Sequence, residues 1–547
     1  MRPFEFGTLI LAPSGASGTA PNSLRAATAC AGRPPRARLP MLEGVLELRR
    51  ACEESEESIV VNPTRPLVVD LDGSLLRGDT LHESIVANLR HPLVIAAAVV
   101  ALLTSGKAAM KRRLAQTGRV EVALLPANAA VLSLMEARKG DGGQVFLATG
   151  ADSAIAESVA ERFPSIDAVF ASDGSTNLTS HAKATALTAE FGEGGFDYVG
   201  NSQADVEIWR RAHTSYLATT DRSAAAPGWA GRDLEVLADP GPTRLRAWGR
   251  ELRVHQSLKN TLLFLPLIAA HEFTNVFAVA ATLAGFIAFT LMASSVYLLN
   301  DVLDVNLDRV HRRKKSRPVA AGWIDPLHAL AGSLVLAVAA LTLGFVIGLG
   351  FALVLVGYAV LTLSYSLWLK RITLVDVVTL AMLYMIRIVA GAVVTGITLS
   401  FWFTGVTLFL FLSLAFVKRY AELHSANGSS RRLPGRGYSG DDVHAILALG
   451  VASGMASTVL MAIYIQSDAV SRLYPAPVVL WLVIPVLFLW IGNLWIKAGR
   501  GQMHDDPVIF ALRDPSSLVI GAVVLLLFVV ASMPVTAELF GRIASVR

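Results

Sequence analysis

The C-terminal half of this 547-residue chain is a succession of long apolar runs separated by short charged loops, and that pattern admits few folds. The runs cover about 258–273, 277–299, 327–347, 350–368, 373–396, 401–417, 443–466, 477–496 and 517–537. A membrane-crossing helix needs about 20 apolar residues. Backbone polar groups in lipid must be satisfied within the segment, so only helices suit such runs. This half is therefore expected to be an all-α polytopic membrane domain of about nine transmembrane helices. The first run is the shortest, with Lys259 at its start and His271-Glu272 at its end. The mean hydropathy of +0.52 is too high for a soluble protein of this size, yet the residues up to about 257 read as soluble. The chain divides into a leader (1–62), an α/β domain (63–220), a linker (221–250) and the membrane domain (251–547).

The net charge of +5 is placed rather than spread. Loops after the even-numbered runs carry Arg309 to Arg317, then Lys370-Arg371, then Lys418-Arg419 with Arg431, Arg432 and Arg436, then Lys497, Arg500 and Arg513. Loops after the first, third, fifth and seventh runs carry only Arg472. By the positive-inside rule, the N-terminal half faces the cytoplasm and the C-terminus lies outside, in a multi-pass protein of the plasma (inner) membrane. The pattern points to membrane lipids as partners and not to nucleic acid; it allows a homo-oligomer. The two cysteines, Cys30 and Cys52, both lie in the leader, so neither a disulfide framework nor a cysteine metal site is supported. The leader reads as disordered; its Arg-rich, acid-poor start suits either a transit peptide or a reading frame whose true start is Met41.

At the inner end of the second run stands Asn300-Asp301-Val-Leu-Asp304-Val-Asn-Leu-Asp308. On a helix, Asp301, Asp304 and Asp308 are at i, i+3 and i+7 and share one face. Three converging carboxylates repel unless a cation sits among them, and hard oxygen ligands suit Mg²⁺ bridging to phosphates. Arg312 falls near the same face and is placed to take a phosphate oxygen. The alternative is a solvated acidic helix end before a basic loop. Further on, Tyr365 and Lys370 end the fourth run at the same side. Asp376 and Arg387, eleven residues apart on one face of the fifth run, lie about 16 Å apart along the axis. Ionisable groups inside a bilayer usually face the bundle interior, so this face is expected to line a cavity. Arg387 serves there either a ligand or a helix carbonyl or carboxylate.

NDxxDxxxD at the end of a second span resembles the signature of UbiA-type intramembrane prenyltransferases. "YLLNDVLDVNLDRVHRRKKSRPVAAG", "YSLWLK" and "YMIRIVAGAVVTGITLSFWF" look more closely like the decaprenyl-phosphate phosphoribosyltransferase branch, over about residues 250–540. The resemblance implies a Mg²⁺-dependent transferase with Asn300, Asp301, Asp304 and Asp308 at the metal–diphosphate site. Lys259 and Asn260 match an HQxxKN pattern of that branch, which implies phosphate binding. The family's second Asp-rich motif, expected between the sixth and seventh spans, is missing. Lys418 and Arg419 stand there instead. Cations hold a lipid monophosphate without a metal, so the pattern favours phosphoribosyl diphosphate as donor and a polyprenyl phosphate as acceptor. The alternative is a prenyltransferase that joins an isoprenyl diphosphate to an aromatic or other small acceptor. The stretch "HDDPVIFALRD" also resembles this branch, with no role assigned beyond ordering a loop.

In the N-terminal half, Pro66 to Leu75 reads as a buried parallel strand ending in Asp70-Leu-Asp72-Gly73-Ser74. "QVFLATG" places Thr149 after a second strand, Lys183 opens a helical pattern, and "FDYVGNSQADVEIW" places Asn201 and Asp205 after a third. Together these resemble the four motifs of the haloacid dehalogenase (HAD) phosphatases, a Rossmannoid α/β fold. The resemblance implies Asp70 as nucleophile and metal ligand, Asp72 as general acid/base, Thr149 and Lys183 on the phosphoryl group, and Asp205 at the metal. Asn201 departs from the usual Asp, which leaves an active phosphatase and an inactive or regulatory module both open. Residues 82–140 are expected to form a small helical cap. Within it, Pro92 to Leu103 is too short to span and suits either a lid or a membrane-surface helix, with Lys107, Lys111, Arg112 and Arg113 on headgroups.

Overall fold

The computed structural model describes residues 65–173, 178–219, 234–237, 239–425, 436–503, 506–536 and 538. The leader with Cys30, Met41 and Cys52, residues 221–233 and 238 of the linker, Arg431, Arg432 and Asp505 lie outside the described residues. Residues 62–547 form one compact unit.

Six parallel strands make the N-terminal sheet: β1 (Leu67–Val69), β2 (Val145–Asp152), β3 (Ala168–Ser172), β4 (Asp197–Gly200), β5 (Ser215–Leu217) and β6 (Leu234–Val236), in the order β3-β2-β1-β4-β5-β6. Leu67 pairs with both Val145 and Asp197, so β1 is central. Its residues are buried on both faces, which explains the unbroken Leu-Val-Val run. The order changes direction at β1, and ligands bind beyond the carboxyl ends of strands at such a point; Asp70 and Asp72 follow at once. The sheet extends into the expected linker. β6 pairs with β5 through Tyr216 and Glu235, a three-residue edge strand too short for its pattern to be read.

The helices of this half are α1 (Thr80–Ala87), α2 (Pro92–Ala115), α3 (Ala129–Gly140), α4 (Ser153–Arg162), α5 (Ser180–Phe191), α6 (Val206–Arg211) and α7 (Arg244–Glu251). The expected cap shrinks to α1 and α2. Val131, Leu134 and Met135 of α3 pack with Leu67, Val69 and Val145, so α3 covers the sheet. α2 is twice the expected apolar core, because the helical segment resumes past Gly106.

The membrane half holds α8 (Val276–Leu303), α9 (Val305–Val310), α10 (Pro326–Ile347), α11 (Leu349–Leu367), α12 (Val375–Thr395), α13 (Phe401–Ser425), α14 (Val443–Ile465), α15 (Val483–Gly499) and α16 (Pro515–Ser532). Among the described residues nine helices are long and apolar enough to cross a membrane, eight of them here and the ninth α2. The protein is a multi-pass membrane protein. The first expected span is not an ordinary α-helix: Val254–Phe264 is 3₁₀ and Leu265–Ala269 is a short α-turn. A 3₁₀ helix rises about 2 Å per residue against 1.5 Å for α, so this short segment still reaches roughly 30 Å, the thickness of the hydrocarbon core. It lies tight against α12, where a Cβ on Gly391 would meet the Leu263 carbonyl oxygen at 2.0 Å. Small residues also join α8 to α10. Ser295 Oγ donates to the Ser333 carbonyl and Ser333 Oγ to that of Ser295, both at 2.8 Å.

α1 joins the two halves. Glu83 forms a buried ion pair with Arg309, and His82 Nδ1 lies 3.0 Å from Asp325 Oδ2, the residue that caps α10. Val86 packs with Val302 and Val305.

Candidate functional site

α1 connects two acidic sites, with Thr80 N at its start on Asp72 and Arg90 just past its end near Asp304. In the membrane half, Asp301 and Asp308 converge as the spacing predicts. Arg317 Nη1 lies 2.8 Å from Asp301 Oδ1 and also contacts Asp308 Oδ2. Arg253 pairs with Asp301 from the other side, and Lys314 is 3.5 Å from Asp308. Asp304 is set apart, because the helix breaks at that residue (φ −105°, ψ 13°) between α8 and α9. It is half-buried, 3.8 Å from Arg90 and 3.9 Å from Lys370. The expectation of three carboxylates on one continuous face thus holds for two. Asn300 lies half-buried one residue before Asp301, and its carbonyl accepts from Asp304 N at 3.0 Å. Arg312 is exposed, and Arg317 takes the place foreseen for it.

Glu251, at the end of α7, was not foreseen. It is buried and hydrogen-bonded to Asp301; burial, with the Asp301 charge beside it, pushes its carboxyl up to about 8. Its Oε1 is buried without a hydrogen-bond partner among the described residues. A guanidinium nitrogen between two carboxylates and an orphaned carboxyl oxygen beside them are what a cation site looks like when protein cations fill it. The donor set of Asp301, Asp308 and Glu251 fits a hard divalent ion.

A second cluster lies beyond it. Lys259 and Lys418 both point at Asp506 Oδ2, at 2.8 and 3.3 Å, and Tyr384 Oη donates to Asp506 Oδ1 at 2.7 Å. Burial raises the Asp506 carboxyl, but Lys418 and Lys259 outweigh it and hold the group below the usual carboxylate range. The "HDDPVIFALRD" loop thus places one carboxylate between two cations. Five further expected ligands are likewise engaged by protein partners. Arg419 is fully buried and pairs with Asp376 at 2.8 Å. Asp376 also takes Tyr438 Oη at 3.0 Å and Arg436 at 3.2 Å. Tyr365 Oη accepts from Arg436 Nη1 at 2.8 Å. Arg387 donates to the Leu383 carbonyl and, at 3.0 Å, to Asn260 Oδ1, so these two side chains engage each other.

In the N-terminal half, Lys183 Nζ lies 2.6 Å from Asp70 Oδ1 and donates to Tyr198 Oη at 3.2 Å. Thr80 N, at the start of α1, donates to Asp72 Oδ1 at 2.7 Å. Burial pushes Asp70 up to about 6 against the pull of Lys183, and burial with Asp79 and Asp70 nearby pushes Asp72 up to about 7. A carboxyl raised in this way has the range that suits a general acid/base. Thr149 is fully buried and its Oγ1 accepts from Ala151 N at 2.9 Å. Gly73 is required twice over: its φ is +77°, and a Cβ would meet Asn201 Nδ2 at 2.0 Å. The metal role expected of Asp205 meets an obstacle. Its Oδ1 accepts from Tyr198 Oη at 2.9 Å, and its Oδ2 from Asn201 N, Ser202 N and Ser202 Oγ, each at 3.1 Å. The fourth-motif residue that faces the Asp70 loop is Asn201. A cation still suits buried Asp70 and half-buried Asp72, with Lys183 of α5 beside Asp70 to balance them. Beside Asp72 opens a cavity of about 320 Å³, lined also by Thr80, Asp152, Thr179 and, from α2, Leu102, Lys107, Met110 and Lys111.

Among the described residues, one group of three His and Asp side chains falls within 4.8 Å: His82, Asp325 and His328. Asp325 already accepts from the Leu327 and His328 amides as the cap of α10.

The UbiA prenyltransferase family model matches residues 261–496. An uncharacterised protein, y4nM, of Sinorhizobium fredii is 34% identical over 469 residues, 85% of this chain and 91% of that one. The decaprenyl-phosphate phosphoribosyltransferase of Mycobacterium tuberculosis is 35% identical over 198 residues, 35% of this chain and 65% of that one. A substrate-bound phosphoserine phosphatase aligns with 32% of this chain and 94% of its own, at 13% identity and a TM-score of 0.24. The HAD-type character of the N-terminal half rests on its own strand order and on the residues at its strand ends. The membrane half, over residues 261–496, is a UbiA prenyltransferase family domain.

Proposed function

We propose that the membrane half transfers a 5-phosphoribosyl group from phosphoribosyl diphosphate to a polyprenyl phosphate, and that the HAD-type half then removes the 5-phosphate from the lipid product. The observation that carries the first step is the pair Lys259 and Lys418 closing on Asp506, where a diphosphate-specific second metal site would need carboxylates. A lipid monophosphate replacing Asp506 between the two ammonium groups meets the same charge. The phosphoribosyltransferase named above supports the same substrates. In the reaction the ribose C1–O bond to diphosphate breaks, and an oxygen of the lipid phosphate forms the new C1–O bond; diphosphate leaves with the bonding pair. Asp301, Asp308 and Glu251 would hold Mg²⁺, which when bound supplies positive charge for the leaving diphosphate. Arg253 and Arg317 move onto phosphate oxygens when the carboxylates exchange them.

In the second step an Asp70 oxygen attacks phosphorus and the P–O5 bond breaks. Asp72 gives its proton to the leaving ribose oxygen. Water then attacks the aspartyl-phosphate, Asp72 takes the proton, and inorganic phosphate leaves. Lys183 neutralises Asp70 and the transferred group. With nine spans, counting the 3₁₀ segment and not α2, and the Lys- and Arg-rich loops inside, the HAD-type half and both sites would face the cytoplasm and the C-terminus would lie outside.

Membranes holding the full chain, given labelled phosphoribosyl diphosphate, Mg²⁺ and a long polyprenyl phosphate, should put label into lipid. Label in lipid only from an isoprenyl diphosphate would instead establish the prenyltransferase reading.

A further inference from the structure

Helix α2 has two halves that face different surroundings. From Pro92 to Leu103 it is apolar, and although Ala98 is buried, much of its aliphatic surface is not covered by protein: Leu93 is 85% exposed, Leu103 80% and Val100 57%. At Gly106 the chain leaves helical geometry (φ +85°, ψ −175°). Beyond it the segment is basic, and Lys111 Nζ donates to the Gly150 carbonyl at 2.6 Å, at the end of the HAD-type sheet. Leu102, Lys107, Met110 and Lys111 form one wall of the cavity beside Asp72.

The apolar half starts at the membrane. Arg90, two residues ahead of Pro92, donates to the Leu303 carbonyl at 3.2 Å and lies 3.8 Å from Asp304. Leu303 ends α8, a membrane-crossing helix. α1, which leads into α2, is latched at His82 to Asp325, where α10 enters the membrane. A helix fixed at that level with bare leucines and valines on its surface meets lipid there. In water those side chains would leave their apolar surface unburied, and the Lys and Arg that follow the apolar stretch suit lipid headgroups.

We propose that the apolar half of α2 is seated in the adjoining leaflet, and that the HAD-type cavity therefore takes its phosphomonoester from a membrane lipid. The hydrocarbon stays along Leu93 to Leu103, and Lys107 and Lys111 meet the phosphate as it enters beside Asp72. This deepens the phosphatase reading given above and rests on it. It also accounts for the docking of the domain: α1 and α2 run from the Asp304 edge of the transferase site to the Asp72 cavity, so the headgroup of a lipid product passes from one to the other while its tail stays in the bilayer.

The test uses the full chain in vesicles of phosphatidylethanolamine and phosphatidylglycerol containing a lipid with a diazirine on its acyl chain. After illumination, mass spectrometry should find lipid adducts within residues 92–103 as well as on α8. Adducts on α8 with none in 92–103, or cross-links from α2 to a second copy in their place, overturn the bilayer seat. In parallel, Leu93→Asn with Leu103→Asn should lower removal of phosphate from a phosphoribosyl lipid at least about tenfold. The same variant should leave hydrolysis of ribose 5-phosphate and the transfer step unchanged. An equal loss on both phosphate substrates overturns the guiding role. A wild-type protein that carries the adducts but leaves the lipid's 5-phosphate intact sinks the phosphatase reading, and with it the substrate assignment, while the seat of α2 stands.

Discussion

The two acidic sites solve one problem in different ways. Asp70 and Asp72 sit on a tight turn at the end of the central strand, and their positions are set by local backbone: Gly73 at positive φ, Thr80 N on Asp72, and a single lysine on Asp70. Asp301 and Asp308 sit on either side of a helix break; Arg317, from a following loop, bridges the two, and Arg253, from a preceding segment, pairs with Asp301. The first site is built in; the second is assembled, and its protein cations are removable. The first should tolerate loss of a bound ion with little movement, and the second should rearrange when a metal–diphosphate displaces its arginines.

The sharpest break in that comparison is Asp70→Asn. Removing a nucleophile costs on the order of 10⁴-fold or more, so release of the 5-phosphate should vanish while label still enters lipid. A variant that still yields the dephosphorylated lipid would place the phosphatase elsewhere. Next in size is Asp301→Asn, expected to cut phosphoribosyl transfer by about 10²- to 10³-fold, the usual scale for lost transition-state charge stabilisation. Hydrolysis of ribose 5-phosphate should stay at the wild-type rate. Near-normal transfer by this variant would remove the metal–diphosphate assignment.

The built-in site was legible because its residues hang on short motifs beside apolar strands. Asp70, Asp72 and Lys183 stand where the motifs place them; the role of Asp205 was obscured because a motif does not tell which oxygens a turn's amides have already taken. The assembled site was legible only in its helical part. Spacing put Asp301, Asp304 and Asp308 on one face, and the break at Asp304 turned one of them away. Arg253 is 48 residues from Asp301 and Arg317 is 16 away; no local period connects them, and Glu251 carries no signal beyond being an acid near a helix end. Charge counting likewise treated Lys418 and Arg419 as a pair. Adjacent residues on a helix point about 100° apart, so one meets Asp506 and the other is buried on Asp376. The first span shows the same limit: apolar length was measured in α-helical residues, whereas the segment is wound as 3₁₀.

The split between those neighbours predicts separate phenotypes. Lys418→Met and Lys259→Met should each raise KM for the lipid phosphate about tenfold, the loss of one charge-assisted hydrogen bond, with stability little changed. Arg419→Met strips Asp376 of its closest cation in a buried setting, and should destabilise the fold by roughly 3–5 kcal/mol. Thermal unfolding in detergent alongside KM separates the two; a stable Arg419→Met protein with a raised KM would return Arg419 to the phosphate site.

The smallest effect concerns the latch between the two sites. The hydrogen bond to Asp325 holds the His82 imidazole above its ordinary range, with burial opposing and Asp79, Asp325 and Asp72 adding their charge. Burial raises Asp325, but His82 and the Leu327 and His328 amides outweigh it and leave that carboxyl below its usual range. A raised histidine stabilises the folded contact fully below its unfolded value, about 6.5, and ceases to do so as pH rises through the raised one. A lowered carboxyl stabilises above its ordinary value and fails as pH falls through the lowered one. The latch is therefore tightest between about pH 4 and 6.5 and slackens toward pH 8, in a partly solvated pair where the effect is modest. Hydrogen exchange over Leu81–Ala87, corrected for intrinsic rates, should show α1 less protected at pH 8 than at pH 6, and His82→Gln should abolish the difference. Equal protection at both pH values would mean that Glu83–Arg309 and the packing of Val86 against Val302 and Val305 hold the two sites together unaided. In that case the assembled site would lean on the built-in one through shape and not through a titrating contact.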